Sequence, residues 1–296
     1  MVTQEITHEI TKESFDNYYN EINMLLYNGY SLKFVEYLKN KFGDKCNFHL
    51  IFQRENYYPL TFIGSIKNIN SFNNLPSSNY YIKKRNGSYG KNITITTNPN
   101  RFFNQYGIKE NDYVVQKEID TDLYKNKKYD YRVYLLILKI NNKIKYGYYT
   151  KYVIRNSLYE FNNTNDIYSK LTNHHIYSLK ELDKNFYILS DEFKKTHENK
   201  IKILNERVLN KIKDYEDEFK SLLNNHNFRI LGVDYVAEKL TNKLFILELN
   251  ATPGVYYKNQ TKDYLKKYNN FHKNIIEDLN NLLYNTNSQD NNWIII

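Results

Sequence analysis

The segment Gly232-Val233-Asp234-Tyr235-Val236-Ala237, followed after a polar turn by Leu244-Phe245-Ile246-Leu247-Glu248-Leu249-Asn250, reads as an apolar hairpin carrying acids at one end. A turn centred on Thr241 pairs Asp234 with Glu248, their β-carbons about 4.5–5.5 Å apart, and Asn250 shares that face because strand side chains alternate. Two carboxylates beside an amide oxygen make a hard-oxygen set suited to Mg2+ holding phosphates. A solvated sheet edge is the other reading of the same residues. Like charges directly opposite each other destabilise a ladder unless a cation lies between them, which favours the metal site.

Working upstream, Lys128-Tyr129-Asp130-Tyr131-Arg132-Val133-Tyr134 alternates charge and apolar bulk. On a strand, Lys128, Asp130 and Arg132 share one face, which either grips a phosphate or carboxylate or is simply solvated. Further upstream, Lys83-Lys84-Arg85-Asn86-Gly87-Ser88-Tyr89-Gly90-Lys91 joins two strands through glycines and cations. Such a loop can fold over polyphosphate, and it can equally be an ordinary basic hairpin loop. It lacks the Walker A order and a following helix signal, so P-loop chemistry is not expected.

These segments sit in an α+β frame. Short strands are expected at Tyr80–Lys83, Asn92–Thr97, Tyr113–Lys117 and Tyr129–Ile140. Helical spacing marks Phe15 to Leu26, a second helix capped by Ser31 and carrying Phe34, Val35, Leu38 and Phe42, one long helix over Ile201–Leu223, and a last helix over Asp263–Tyr284. The Asn- and Ser-rich run Asn68–Asn79 reads as a loop or domain joint.

With 296 residues, 41% hydrophobic and 25% charged, the chain can bury a sizeable core and is neither a disordered tail nor a fibre. No apolar run is long enough for a membrane span, and the polar N-terminus does not read as a secretory signal. Cys46 is the single cysteine, so disulfides within the chain and cysteine metal cages are excluded, and a reducing cytosol fits. It reads as structural, and the His174-His175 pair as a surface or core feature, neither having supporting partners in sequence. The 31 Tyr and abundant Asn and Lys match an A/T-biased coding sequence, and the net charge of +9 alone does not separate nucleic acid from other anionic partners.

Taken in order, Lys83 with its glycine loop, Tyr113-Val114-Val115-Gln116-Lys117-Glu118-Ile119, Tyr129-Asp130-Tyr131-Arg132-Val133-Tyr134, Leu171-Thr172-Asn173-His174, Gly232-Val233-Asp234-Tyr235 and Glu248-Leu249-Asn250-Ala251-Thr252-Pro253 resemble the tubulin-tyrosine ligase-like family of the ATP-grasp superfamily. The resemblance implies an α+β ATP-grasp fold holding ATP between two mixed or antiparallel sheets. It divides the chain into a small N-terminal domain (1–75) with a substrate-binding role, a central part with phosphate loop and hinge (76–140) and a C-terminal part with the metal site (141–296). Lys83 and Lys91 are implied to contact phosphates, Gln116 and Lys117 to line the adenine side, and Thr172 and Asn173 to approach the terminal phosphates. Lys128, Asp130 and Arg132 are implied to stand in the nucleotide and acceptor cleft, Arg155 to bind the acyl phosphate or a substrate carboxylate, and Asp234, Glu248 and Asn250 to hold Mg2+. Two departures, Lys84 where the family has a small residue or proline and Lys170 where it has histidine, imply a more basic triphosphate pocket.

The expected activity is ATP-dependent ligation of an amino acid (Tyr, Glu or Gly) to an acidic protein tail through an acyl phosphate, with tubulin's tail the leading acceptor. A monomer in the cytoplasm or at the cytoskeleton is expected. The alternatives are a ligase for another protein, a peptide or a small metabolite, and a basic nucleic-acid-binding module that has lost catalysis; retention of Arg132, Asp234, Glu248 and Asn250 together argues against the last.

Overall fold

The computed structural model describes residues 31–65, 72, 75–87, 92–108, 111–162, 167–172, 187–193, 197–224, 227–253, 263–284 and 291–296. The expected helix at Phe15 to Leu26, and Lys91, Asn173, His174 and His175, lie outside these residues.

Two antiparallel sheets carry the fold. The smaller has the strand order β1-β4-β2-β3, from Thr61–Gly64 (β1), Tyr80–Lys84 (β2), Ile93–Thr96 (β3) and Tyr113–Lys117 (β4). In the larger, Leu244–Asn250 (β11), Phe228–Ala237 (β10), Lys127–Ile140 (β6), Lys143–Tyr149 (β7) and Trp293–Ile295 (β12) follow one another. Leu123–Tyr124 (β5) and Val153–Asn156 (β8) also pair with β6, and Tyr187–Leu189 (β9) with β8.

Strand β6 organises the large sheet because its two faces have different jobs. Tyr129, Tyr131, Val133, Leu135 and Ile137 point into one core with Leu32–Leu38 (α1), Glu198–Lys213 (α5) and Glu216–Leu222 (α6). On the other face Tyr134, Leu136 and Leu138 enter a second core under Asp263–Tyr284 (α7). Further toward the strand's start that second face carries Lys128, Asp130 and Arg132, so period-two alternation delivers three charges in a row beside an apolar floor.

Several expectations are corrected. The segment expected as one helix over Ile201–Leu223 is broken at Asp214-Tyr215 into α5 and α6. Between β3 and β4 a helix, Pro99–Tyr106 (α3), replaces plain connection; Asn98 caps it by accepting from the Arg101 amide, Pro99 occupies its first turn, and Gly107 ends it at φ 61°. These are standard start and stop signals. Phe103 of α3 is fully buried, and a β-carbon on Gly64 would lie 2.3 Å from its ring, so β1 needs glycine there. Ser31 does cap α1, which continues into a π-helical turn at Lys39–Gly43 before Lys45–Phe52 (α2). Cys46 is buried in α2, and burial pushes its thiol up to about 11, as for an inert packed thiol.

Candidate active site

The hairpin β10–β11 places its acids by way of an irregularity. Asp234 stands opposite Glu248 and Gly232 opposite Asn250, but a bulge then shifts the register, so that Tyr235 pairs with Ile246 and Ala237 with Leu244. Leu247 is the extra residue, and the turn centres between Leu240 and Thr241 rather than on Thr241, with Asn242 at φ 53°. The expected acid pair is therefore met at the site end only because the bulge absorbs one residue.

On the other side of β10, Asp234 faces Arg132 of β6, and one step further Asp130 faces Arg155 of β8. Arg132 donates to Asp234 through Nε (2.5 Å) and Nη2 (3.0 Å). Arg155 donates to Asp130 at 2.7 and 2.6 Å and reaches Asp234 at 2.8 Å. Thr172 donates its hydroxyl to Asp130. All four charged side chains are buried, and their two cations and two anions balance. Such an array adds little over an apolar core of equal volume, yet removing one member leaves an uncompensated buried charge at about 3–5 kcal/mol. Burial raises both acids, but for Asp234 the pull of Arg132 and Arg155 wins and holds it below the usual carboxylate range. Asp130 stays raised by burial, with Arg155 opposing and Asp234 reinforcing the rise.

Gly232 is part of this construction. A β-carbon there would lie 2.8 Å from Pro253 and 3.2 Å from both Arg132 Cδ and Nη1, so only glycine lets the arginine lie across β10. Glu248 faces Asp234 across the hairpin, and Asn250 donates its Nδ2 to Glu248 at 3.3 Å, leaving its amide oxygen for a cation. The oxygen donors of Asp234, Glu248 and Asn250 suit Mg2+. With Asp234 gripped by two arginines, Glu248 and Asn250 carry the more available oxygens. Among the described residues no three His, Cys, Asp or Glu side chains form a cluster of their own.

Across the cleft, Lys83 of β2 donates to Gln116 Oε1 of β4 at 2.7 Å. Burial lowers its ammonium to about 8 against the opposing pull of Glu248 and Asp234. Glu118, just after β4, collects Lys128 (2.5 Å), Lys170 (3.4 Å), Asn79 (2.6 Å) and Tyr81 (3.1 Å), with Phe161 beneath both ammonium groups. Lys170 ends the short helix Ile167–Lys170 (α4), and its side chain is completely buried. Lys45, the first residue of α2, donates its ammonium to the Gly87 carbonyl and its amide to Arg85, clamping the base of the β2–β3 loop.

Together these groups line one cleft of about 720 Å3 between the sheets. It gathers Lys83, Gln116, Lys117, Lys128, Asp130, Arg132, Arg155, Thr172, Asp234, Glu248 and Asn250, every expected site residue within the described part of the chain. Nine lysines and arginines line it against four carboxylates, an excess that calls for an anionic ligand. Sequence reasoning missed Lys45, Glu118 and Tyr268, which also line it. Glu118 was visible as the residue after Gln116-Lys117, whereas Lys45 and Tyr268 come from distant helices with no local signal.

Comparison with known proteins agrees with this geometry. A curated relative, tubulin glycylase 3C of Tetrahymena thermophila, is 25% identical over 208 residues, covering 64% of this chain. The chain spans about a fifth of that relative's length, the aligned part being 19% of it. The sequence profile of the tubulin-tyrosine ligase family matches residues 16–291, nearly the whole chain. With its antiparallel sheets enclosing a basic cleft, the chain therefore belongs to the tubulin-tyrosine ligase family and has the ATP-grasp fold.

Proposed function

We propose that this chain joins the amine of a free amino acid to a carboxylate on an acidic protein tail, at the expense of ATP and through an acyl phosphate. The observation that carries the reading is the buried Arg132–Asp234–Arg155–Asp130 array set beside Glu248 and Asn250 and across from Lys83. Fixed guanidinium groups stabilise charge on a transferring phosphoryl group without reorganising at the moment of reaction. Lys83 binds polyphosphate and Gln116 and Lys117 line the nucleotide's base side, with Lys91 and Asn173 contributing from the phosphate loop and the segment after Thr172. Thr172 and Asp130 fix Arg155 for the acceptor carboxylate, and Lys128 borders the same cleft. Glu248 and Asn250, with Asp234, would hold Mg2+, which neutralises phosphate charge when bound.

The cleft's excess of cations supports an acidic acceptor, and the name of the glycylase relative makes a tubulin tail the first to try. The test is incorporation of labelled glycine, glutamate or tyrosine into a Glu-rich tail peptide with ATP and Mg2+, with Glu248→Gln as control. Incorporation of one of them that is lost in the control supports the reading; a wild-type chain that binds ATP but incorporates none of the three defeats it.

A further inference from the structure

The Gln116 side chain is held at both ends. Antiparallel pairing sets Thr61 of β1 opposite Gln116 of β4, and Gln116 opposite Tyr81 of β2. Thr61, Gln116 and Lys83, two residues past Tyr81, therefore share one face of the small sheet. Thr61 and Gln116 are buried. An ammonium group only donates, so the amide atom that meets Lys83 Nζ at 2.7 Å is the oxygen, Oε1. Nε2 is thereby turned the other way, where it donates to Thr61 Oγ1 at 3.4 Å. The Thr61 hydroxyl donates in turn to the Pro59 carbonyl at 2.8 Å. The Tyr58 hydroxyl stands beside the same two side chains; with two lone pairs, the threonine oxygen accepts from the amide even with this neighbour present.

This arrangement sets Lys83 apart from the other lysines of the cleft. Lys128 and Lys170 share the carboxylate of Glu118, whereas Lys83 rests on a neutral amide. The charges facing it are Lys45 of α2, which repels it, and Glu248 of β11 and Asp234 of β10, which attract it from longer range; the Tyr81 ring centre lies 5.9 Å away. An amide oxygen fixes the position of an ammonium without cancelling its charge, and a carboxylate does both. We propose that Thr61 is a positioning residue for Lys83: it turns the Gln116 amide oxygen-first, and the neutral amide presents the ammonium to polyphosphate with its charge undiminished. The inference rests on the nucleotide-binding part of the proposed function, and through β1 it gives the N-terminal region a place in that site. Without the Thr61 hydroxyl, Nε2 is either a buried donor with no acceptor or turns round to face the ammonium, and in both cases the hold on Lys83 is lost.

The test compares the affinities of ATP and adenosine, measured by calorimetry with Mg2+, in the wild type, Thr61→Val, Thr61→Ser and Gln116→Glu. Adenosine keeps the base and ribose and lacks the phosphates that Lys83 is proposed to meet, so the ratio of the two affinities isolates the cation's part. Thr61→Val should lower the ratio about 10-fold while adenosine binds within about 2-fold of the wild type. Thr61→Ser, which keeps the hydroxyl, should retain the wild-type ratio. Gln116→Glu should lower it about 10-fold or more, although its carboxylate grips the ammonium more firmly, because the pair then has no net charge to offer phosphate. A ratio unchanged in Thr61→Val or in Gln116→Glu, or an equal loss in Thr61→Val and Thr61→Ser, overturns the proposal; if Thr61→Val does not fold, the ratio in Gln116→Glu decides in the same way. A wild type that binds ATP no more tightly than adenosine would sink the nucleotide reading itself, and this inference with it. The expected ratios in a chain that ligates nothing would leave the assignment of Thr61 standing and sink the ligase reading alone.

Discussion

The sharpest consequence of the buried charge array is that two acids facing each other across one hairpin should fail in different ways. Asp234 is buried and receives both Arg132 and Arg155, whereas Glu248 is half-buried and accepts a hydrogen bond from the Asn250 amide. Asp234→Asn removes a charge and leaves Arg132 and Arg155 facing Asp130 alone. Breaking a buried pair costs about 3–5 kcal/mol, and since the amide oxygen still accepts one hydrogen bond, the lower end, about 3 kcal/mol, applies. At roughly 2 °C per kcal/mol for a chain of this size, the melting temperature without nucleotide should fall on the order of 6 °C. Glu248→Gln breaks no hydrogen-bonded ion pair and removes only the longer-range pull of Glu248 on Lys83, so its melting temperature should fall by no more than about 2 °C, while turnover falls about 100-fold or more through loss of an anionic metal ligand. Scanning calorimetry of both variants, without nucleotide and with ATP and Mg2+, makes the comparison. Equal destabilisation by the two substitutions, or none by Asp234→Asn, would refute the assignment of Asp234 to the array.

Other outcomes follow from the same geometry. Asp234 is held below its unfolded value, so its stabilising contribution is complete above about pH 4 and is lost as pH falls through the folded pKa. Acid unfolding followed by circular dichroism should therefore start at higher pH in Arg132→Leu than in the wild type. Lys83, lowered to about 8, loses its proton in the free protein as pH rises past that value. ATP affinity should weaken above pH 8 with proton uptake on binding, both effects disappearing in Lys83→Met when measured by calorimetry in buffers of different ionisation heat. Gly232→Ala should push Arg132 aside and lower turnover about 10-fold or more with ATP affinity nearly kept, as steady-state kinetics will read. For a Glu-rich acceptor peptide, the apparent KM should rise markedly with salt while kcat moves less, because screening acts on capture by the basic cleft; a KM indifferent to salt would argue against an acidic acceptor.

What the sequence disclosed depended on how local each signal was. The face shared by Lys128, Asp130 and Arg132 follows from alternation within one strand, and the pairing of Asp234 with Glu248 from one hairpin. Even there the register came through the bulge at Leu247, which no local pattern announces. Arg155 took its place from family resemblance alone, since its partners Asp130 and Asp234 lie 25 and 79 positions away and meet it only when β8 pairs with β6. The charge cluster around Glu118 draws on Asn79, Lys128 and Lys170 across three elements. Helix α3 was legible in the Asn98-Pro99 start and Gly107 stop, but the surrounding strand propensity masked it. Tyr268 and His272 announced only an apolar helix face, because their polarity acquires meaning through Tyr134 from a distant strand.

The most direct test of carboxylate activation follows an oxygen atom. An acceptor peptide carrying 18O in its carboxylates is incubated with the protein, ATP, Mg2+ and the amino acid that it incorporates, and the released phosphate is examined by mass spectrometry. Ligation through an acyl phosphate carries one 18O from the peptide into each phosphate formed, in step with amide bonds made. Phosphate that instead takes its new oxygen from water, with the peptide's label intact, would contradict the proposed chemistry.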